Sequence, residues 1–228
     1  MFPIRDSIRA RRRPVATVLL ILLNIVGFVL EMGAGPEIEA FVTRFAVVPD
    51  RLVAAARAGA WLPEVATVFT SMFLHADILH LAGNVWFLWI FGDNVEDRFG
   101  RVGFVAFYVA CGVAAAFSQV AMDPTSAVPM VGASGAIAGV LGAYLRLYPG
   151  ARVLAVVPIF LFLHFLEVRA IVFLGVWFAI QVGSSLLGVT GVAWWAHIAG
   201  FAAGLLLALF VPRRVTTARR PSPRVRRR

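Results

Sequence analysis

Apolar residues run along this chain in long blocks separated by short polar stretches. A helix needs about 20 predominantly apolar residues to cross the hydrocarbon core of a bilayer. Blocks of about that kind occupy 15–32, 78–91, 102–122, 134–148, 168–187 and 193–211. Breakers stand between them. A charged turn fills 92–101, Asp123, Pro124 and Pro129 mark a loop, Pro149-Gly150 ends the fourth block, and Pro212 ends the sixth. The pattern predicts an all-α, polytopic membrane protein with six transmembrane helices. Residues 33–71 differ: Ile38, Phe41, Val42 and Phe45 share one helical face, which predicts amphipathic helices lying in the interface of the first outer loop. Residues 153–166 are apolar but interrupted by Pro158, and read as a connector embedded at the interface before span five.

Composition supports the same class. Of 228 residues, 61% are hydrophobic and 14% charged, against about 25% charged in an average soluble domain. A soluble chain of this size could not hide so much apolar side chain. The single cysteine, Cys111, excludes an intramolecular disulfide. The run after Arg13 has the shape of a signal peptide, but with several spans downstream an uncleaved first helix is the better reading.

Charge then orients the bundle. The formal net charge is +9, and every basic residue is arginine. Six spans put both tails on one side, and that side holds all the arginines except Arg44, Arg51 and Arg57. The positive-inside rule assigns both tails to the cytoplasm. The division is a basic cytoplasmic N-tail (1–14), a membrane domain (15–212) and an Arg-rich cytoplasmic C-tail (213–228). The basic tails suit anionic lipid headgroups and topology; no nucleic-acid-binding motif accompanies them.

Polar residues inside spans carry the chemistry, because lipid offers no hydrogen-bond partners and an ionisable group there is a functional candidate. His80 and Asn84 lie in span two, Ser134 in span four and His197 in span six; Gln181, Ser184 and Ser185 lie in span five. The first four sit in the opening turns of helices that start outside, so they share one depth. Ser134 and His197 each precede small residues, Ala138, Gly139 and Gly142 on one helix, Gly200 and Gly204 on the other, which let helices approach closely. A serine hydroxyl becomes a nucleophile when a base takes its proton. Each residue alone also has a plain structural reading: Ser134 as a backbone-bonded helix serine, His197 as a packed polar group, Asn84 as helix glue. Trp86 and Trp89 on span two, with Trp177 and Phe178 on span five, are either the sides of a lateral entrance or lipid-facing packing.

Taken together, His80-Leu81-Ala82-Gly83-Asn84, Gly132-Ala133-Ser134-Gly135 and Ala196-His197-Ile198-Ala199-Gly200 resemble the motifs of the rhomboid family of intramembrane serine proteases, in order and spacing, over about residues 61–212. Glu96-Asp97-Arg98-Phe99-Gly100 and Pro149 match as well. The resemblance implies a rhomboid-like six-helix bundle and a serine endopeptidase that cleaves transmembrane segments of other membrane proteins. It implies Ser134 as nucleophile, His197 as general base and acid, and an oxyanion hole of Asn84, His80 and the Ser134 backbone N–H. His75 matches a structural histidine, and Asp77 is read as a cap for span two. No cofactor or metal is implied, the partners being membrane protein substrates and the bilayer. It also implies the inner membrane of a bacterium, with the site open to the outer face and a small residue before the cut. The rival readings are a catalytically silent relative that binds membrane clients and a small transporter. Two positions depart from the family. Trp61 of the outer loop is followed by Leu62 where an arginine is common, and position 138, four after Ser134, is alanine where some members carry an aromatic. Another side chain, such as Phe201, is then expected beneath His197.

Overall fold

A computed structural model describes residues 1–159 and 162–212; the Arg-rich segment 213–228 lies outside them. The elements in order are β1 (Phe2–Asp6), α1 (Val15–Gly33), α2 (Ile38–Phe45), α3 (Pro49–Arg57), α4 (Trp61–Thr70), α5 (Ile78–Phe99), α6 (Arg101–Met122), α7 (Ser134–Leu147), β2 (Arg152–Ile159), β3 (Phe162–Arg169), α8 (Ala170–Leu186) and α9 (Trp194–Leu207), the last continued by a 3-10 turn, Ala208–Phe210. The expected spans correspond to α1, α5, α6, α7, α8 and α9, and the chain is a helical membrane bundle. α1 and α6 are each long and apolar enough to cross a membrane, α5 forms a bent pair with the helix before it, and α7, α8 and α9 are shorter apolar helices.

α7 is the centre of the bundle. Most of its residues are buried, and it lies against α5, α6 and α9. The approach of α7 to α9 is set by glycine: a Cβ at Gly200 would overlap the carbonyl oxygen of Gly135, one at Gly204 that of Gly139, and one at Gly142 that of Phe201. Without side chains between them, the two backbones touch, which fixes the relative height of the two helix starts.

Two expectations change. The charged stretch 92–101 is not a turn, because α5 continues as helix to Phe99 and ends only at Gly100, whose φ of +74° favours glycine. The helix persists because its charges have a partner. The Glu96 carboxylate accepts from the backbone N–H of Ala16 (3.0 Å) and Thr17 (2.7 Å) and from the Thr17 hydroxyl (2.8 Å). It thereby caps the first turn of α1, which Pro14 cannot cap.

The connector expected at 153–166 is also different. β2 and β3 form an antiparallel hairpin, with Arg152 opposite Arg169, and β1 adds to β2 to make a sheet in the order β1-β2-β3. The apolar side chains of Phe162, Leu163, Phe165 and Leu166 remain exposed. β1 lies along α5: Phe2 stacks on Trp86 (centroids 5.7 Å apart), and the Trp86 indole N–H donates to the Pro3 carbonyl at 2.6 Å. The N-terminal strand therefore holds one side of Trp86, which stays 38% exposed.

The starts of β2 and α1 and the ends of α5, α7 and α9 share one face, tied by Glu96 to α1, by Tyr144 of α7 to Asp6, and by Arg98 to the Pro212 carbonyl. The starts of α5, α7 and α9 point the other way.

Candidate active site

The segment between α1 and α5 builds the platform beneath the opposite face. α2, α3 and α4 fold back on one another around Arg51, which pairs with Glu64 at 2.6 Å and donates to the carbonyls of Thr43 and Ala46. A single arginine thus ties three loop segments, although it does not follow Trp61. The loop then grips the chain ahead of α7. Met130 N–H donates to the Val47 carbonyl (2.7 Å), and Gly132 N–H to the Ser71 carbonyl (2.9 Å). At the far side, the buried Glu31 of α1 accepts from the His75 backbone N–H at 2.9 Å, and His75 itself is fully buried, its ring edge-on to His80 at 5.2 Å. Asp77 caps α5 by accepting from the His80 N–H at 2.8 Å, as its position predicts.

This frame delivers Ser134 and His197 to one point. Ser134 opens α7 and His197 lies in the first turn of α9. Ser134 Oγ and His197 Nε2 are 2.8 Å apart, across 63 residues of sequence. Gly132, at φ +120°, makes the turn into α7, and a Cβ there would lie 2.8 Å from His80 Nε2 and 3.7 Å from Ser134 Oγ. His80 therefore stands over the same turn as Ser134, separated only by the missing side chain. The Ser134 N–H is one of the free first-turn donors of α7. Asn84 is one turn further along α5 and buried; one amide hydrogen donates to the His80 carbonyl at 3.0 Å, and the amide carries a second.

The imidazole has a second polar contact that motif reading missed. Gln181 of α8 is 6% exposed, and its Oε1 is 2.8 Å from His197 Nδ1. The sequence flagged Gln181 as a polar group in a span but attached no role to it; its polarity at mid-span was the available signal. Aromatic support also differs from expectation. Trp177 lies beside the imidazole with centroids 6.1 Å apart, and Trp194 stands edge-on at 6.2 Å. Phe201 stacks on Trp177 (6.0 Å) and Phe178 (4.6 Å) one layer away. Trp177 and Phe178 are thus packed against α9, while Trp89 is 57% exposed. Among the described residues, no three His, Cys, Asp or Glu side chains gather to hold a metal ion.

Residues 62–214 match the family model described as the Rhomboid domain. The chain is 34% identical over 134 residues to the rhomboid protease GluP of Bacillus subtilis, covering 58% of this chain and 24% of that protein. It is 32% identical over 138 residues to the mitochondrial presenilin-associated rhomboid-like protein of Mus musculus, covering 59% of this chain and 35% of the relative. Rhomboid protein 1, mitochondrial, of Saccharomyces cerevisiae is 30% identical over 92 residues, or 39% of this chain and 27% of that one. The match spans about a quarter to a third of the length of these relatives.

Proposed function

The chain belongs to the rhomboid family, and on that premise we propose that it is an intramembrane serine endopeptidase cutting transmembrane segments of other membrane proteins. The observation that carries this reading is the 2.8 Å contact of Ser134 Oγ with His197 Nε2 at the starts of two glycine-packed helices.

In this mechanism His197 takes the Ser134 proton as Oγ attacks a peptide carbonyl. The oxyanion is held by the Ser134 N–H, by His80 and by the second amide hydrogen of Asn84; each such donor typically contributes a factor of about 10²–10³ in rate. His197 then gives its proton to the leaving amine, and water hydrolyses the acyl-enzyme. Water must reach a site within the bilayer's depth, and helix length supports such access. Fourteen residues of α7 rise about 21 Å, against about 30 Å of hydrocarbon. Irregular backbone above Ser134 and His197 is tolerated at that depth where it lines a wet cavity.

The substrate end must unwind, since a regular helix hides its carbonyls in hydrogen bonds. A small residue before the scissile bond is expected. The membrane domain is residues 15–212, with its catalytic core at about 61–212, between cytoplasmic segments 1–14 and 213–228; the first of these is not a free tail, because Phe2–Asp6 pairs with β2. The protein sits in the inner membrane of a bacterium, with the arginine-rich face in the cytoplasm and the site facing out.

The test is cleavage of a panel of fluorescent transmembrane substrates by purified protein in detergent. Wild type should cut, while Ser134→Ala and His197→Ala should each lose more than about 10³-fold. A Ser134→Ala protein as active as wild type would end the proposal. Failure of wild type to cut any member would favour a client-binding role.

A further inference from the structure

We propose that Gln181 is the positioning residue for His197, fixing the imidazole in the tautomer that leaves Nε2 free to accept the Ser134 proton. This deepens the protease reading and rests on it for its functional consequence, though not for its geometry.

The hydrogen-bond chain permits one assignment. Gln181 Nε2 donates to the Trp177 carbonyl at 3.2 Å. A carbonyl only accepts, so the amide nitrogen must face Trp177 and the amide oxygen must face the imidazole. That oxygen, 2.8 Å from His197 Nδ1, also only accepts. Nδ1 must therefore carry the hydrogen. A neutral imidazole has a single N–H, so Nε2 presents its lone pair, and the group it faces at 2.8 Å is the Ser134 hydroxyl, which becomes the donor. Polarity runs in one direction from Ser134 through His197 and Gln181 to the Trp177 carbonyl.

The surroundings keep this chain from rotating. Gln181 is 6% exposed, so water does not compete for its oxygen. Trp177 and Trp194 bracket the ring at 6.1 and 6.2 Å. α8 is held to α9 by the stacks of Trp177 and Phe178 on Phe201. The amide performs the orienting task that a buried carboxylate performs in a triad, but it brings no net charge into the apolar bundle. When Ser134 loses its proton, the imidazolium keeps the same Nδ1–H bond and needs no reorganisation. The competing explanation is that Gln181 only glues α8 to α9, as polar side chains between membrane helices do.

Two readouts separate them. The first is nitrogen NMR of the full chain in detergent with 15N-histidine, the His197 signal being identified among the four histidines by its loss in His197→Ala. Wild type should show Nδ1 protonated and Nε2 unprotonated, and Gln181→Leu should shift the population toward Nε2–H. An unchanged tautomer in Gln181→Leu overturns the proposal, whether or not the protein cuts anything. The second is the rate of Ser134 labelling by a fluorophosphonate as a function of pH. Gln181→Leu should slow labelling on the order of 10²-fold or more. Gln181→Glu, which keeps the size and the acceptor, should retain labelling and move the acid limb of the profile upward by about one unit or more. An unmoved limb in Gln181→Glu overturns the proposal. Absence of labelling in wild type, alongside the expected tautomer change, removes the protease reading and leaves the assignment of Gln181 standing.

Discussion

Polar side chains are buried at both ends of the same helices, and the two ends are built to opposite rules. At the arginine-rich face, the donors and acceptors named here are consumed in joining elements. Glu96 closes three bonds on the start of α1. Asp6 accepts from the Tyr144 hydroxyl and from the Asn94 amide at 3.1 Å, and beside it the Ser7 N–H donates to the Arg152 carbonyl while the Arg152 N–H donates to the Ser7 hydroxyl. At the other face, a serine hydroxyl, two histidine rings and an amide gather around the turn that opens α7, whose first-turn N–H groups have no partner within the helix. The first arrangement uses its hydrogen bonds to hold the fold, and the second, in the proposed mechanism, keeps them for a reacting group. Substitutions at the two ends should therefore separate stability from activity.

The largest effect after loss of Ser134 or His197 is expected at Asn84. Asn84→Ala should lower kcat about 10²-fold while changing stability by less than about 1 kcal/mol, because the helix carbonyl it bonds is already partnered. Equal losses of activity and of thermal midpoint would place Asn84 with the structural end. Glu96→Gln should do the reverse. An amide cannot replace a carboxylate on three donors, so stability should fall by about 1.5–3 kcal/mol. The activity of each folded molecule should stay near wild type, measured as kcat after titration of the reactive serine. A large kcat loss there would mean the two ends are coupled through α1 or α5.

The smallest effect is expected at the arginine-rich end. Burial raises the Asp6 carboxyl to about 6, only partly opposed by the Tyr144 hydroxyl bond. Between its ordinary value near 3.8 and about 6, the folded protein holds this proton more tightly than the unfolded chain. Asp6 therefore favours folding most below that window, and its contribution declines as pH rises through it. Asp6→Asn, whose side-chain carbonyl still accepts from Tyr144, should remove this decline. Thermal midpoints of the two proteins between pH 4 and 7 should converge at the acid end and favour the variant at the neutral end. Parallel curves would show that Asp6 does not titrate there.

Much of the bundle was legible in advance because its signals are local. Apolar blocks mark the helices, Asp77 marks a helix start, and the glycines after Ser134 and His197 mark the close contact of α7 with α9. The hairpin of β2 and β3 was not legible. Its run of Phe, Leu, Val and Ile lacks the strict alternation of a half-buried strand, and it gains its partner from β1, about 150 residues away. The helical state of 92–99 was hidden for a related reason: its charges read as a turn until the start of α1 is placed against them.

By itself the sequence determined the membrane class, the order of the helices, the family, and the serine and histidine that meet. Those properties follow from hydropathy and short motifs, which act over a few residues. The tertiary structure alone decided that Gln181 faces His197, that Glu96 caps α1, that Arg51 ties the loop between α1 and α5 and that the N-terminal strand packs on Trp86. Each of these joins groups that no local period relates, and each depends on which helix faces pack together. Burial then gives these polar contacts their strength, since a group cut off from water must find its partner inside the protein.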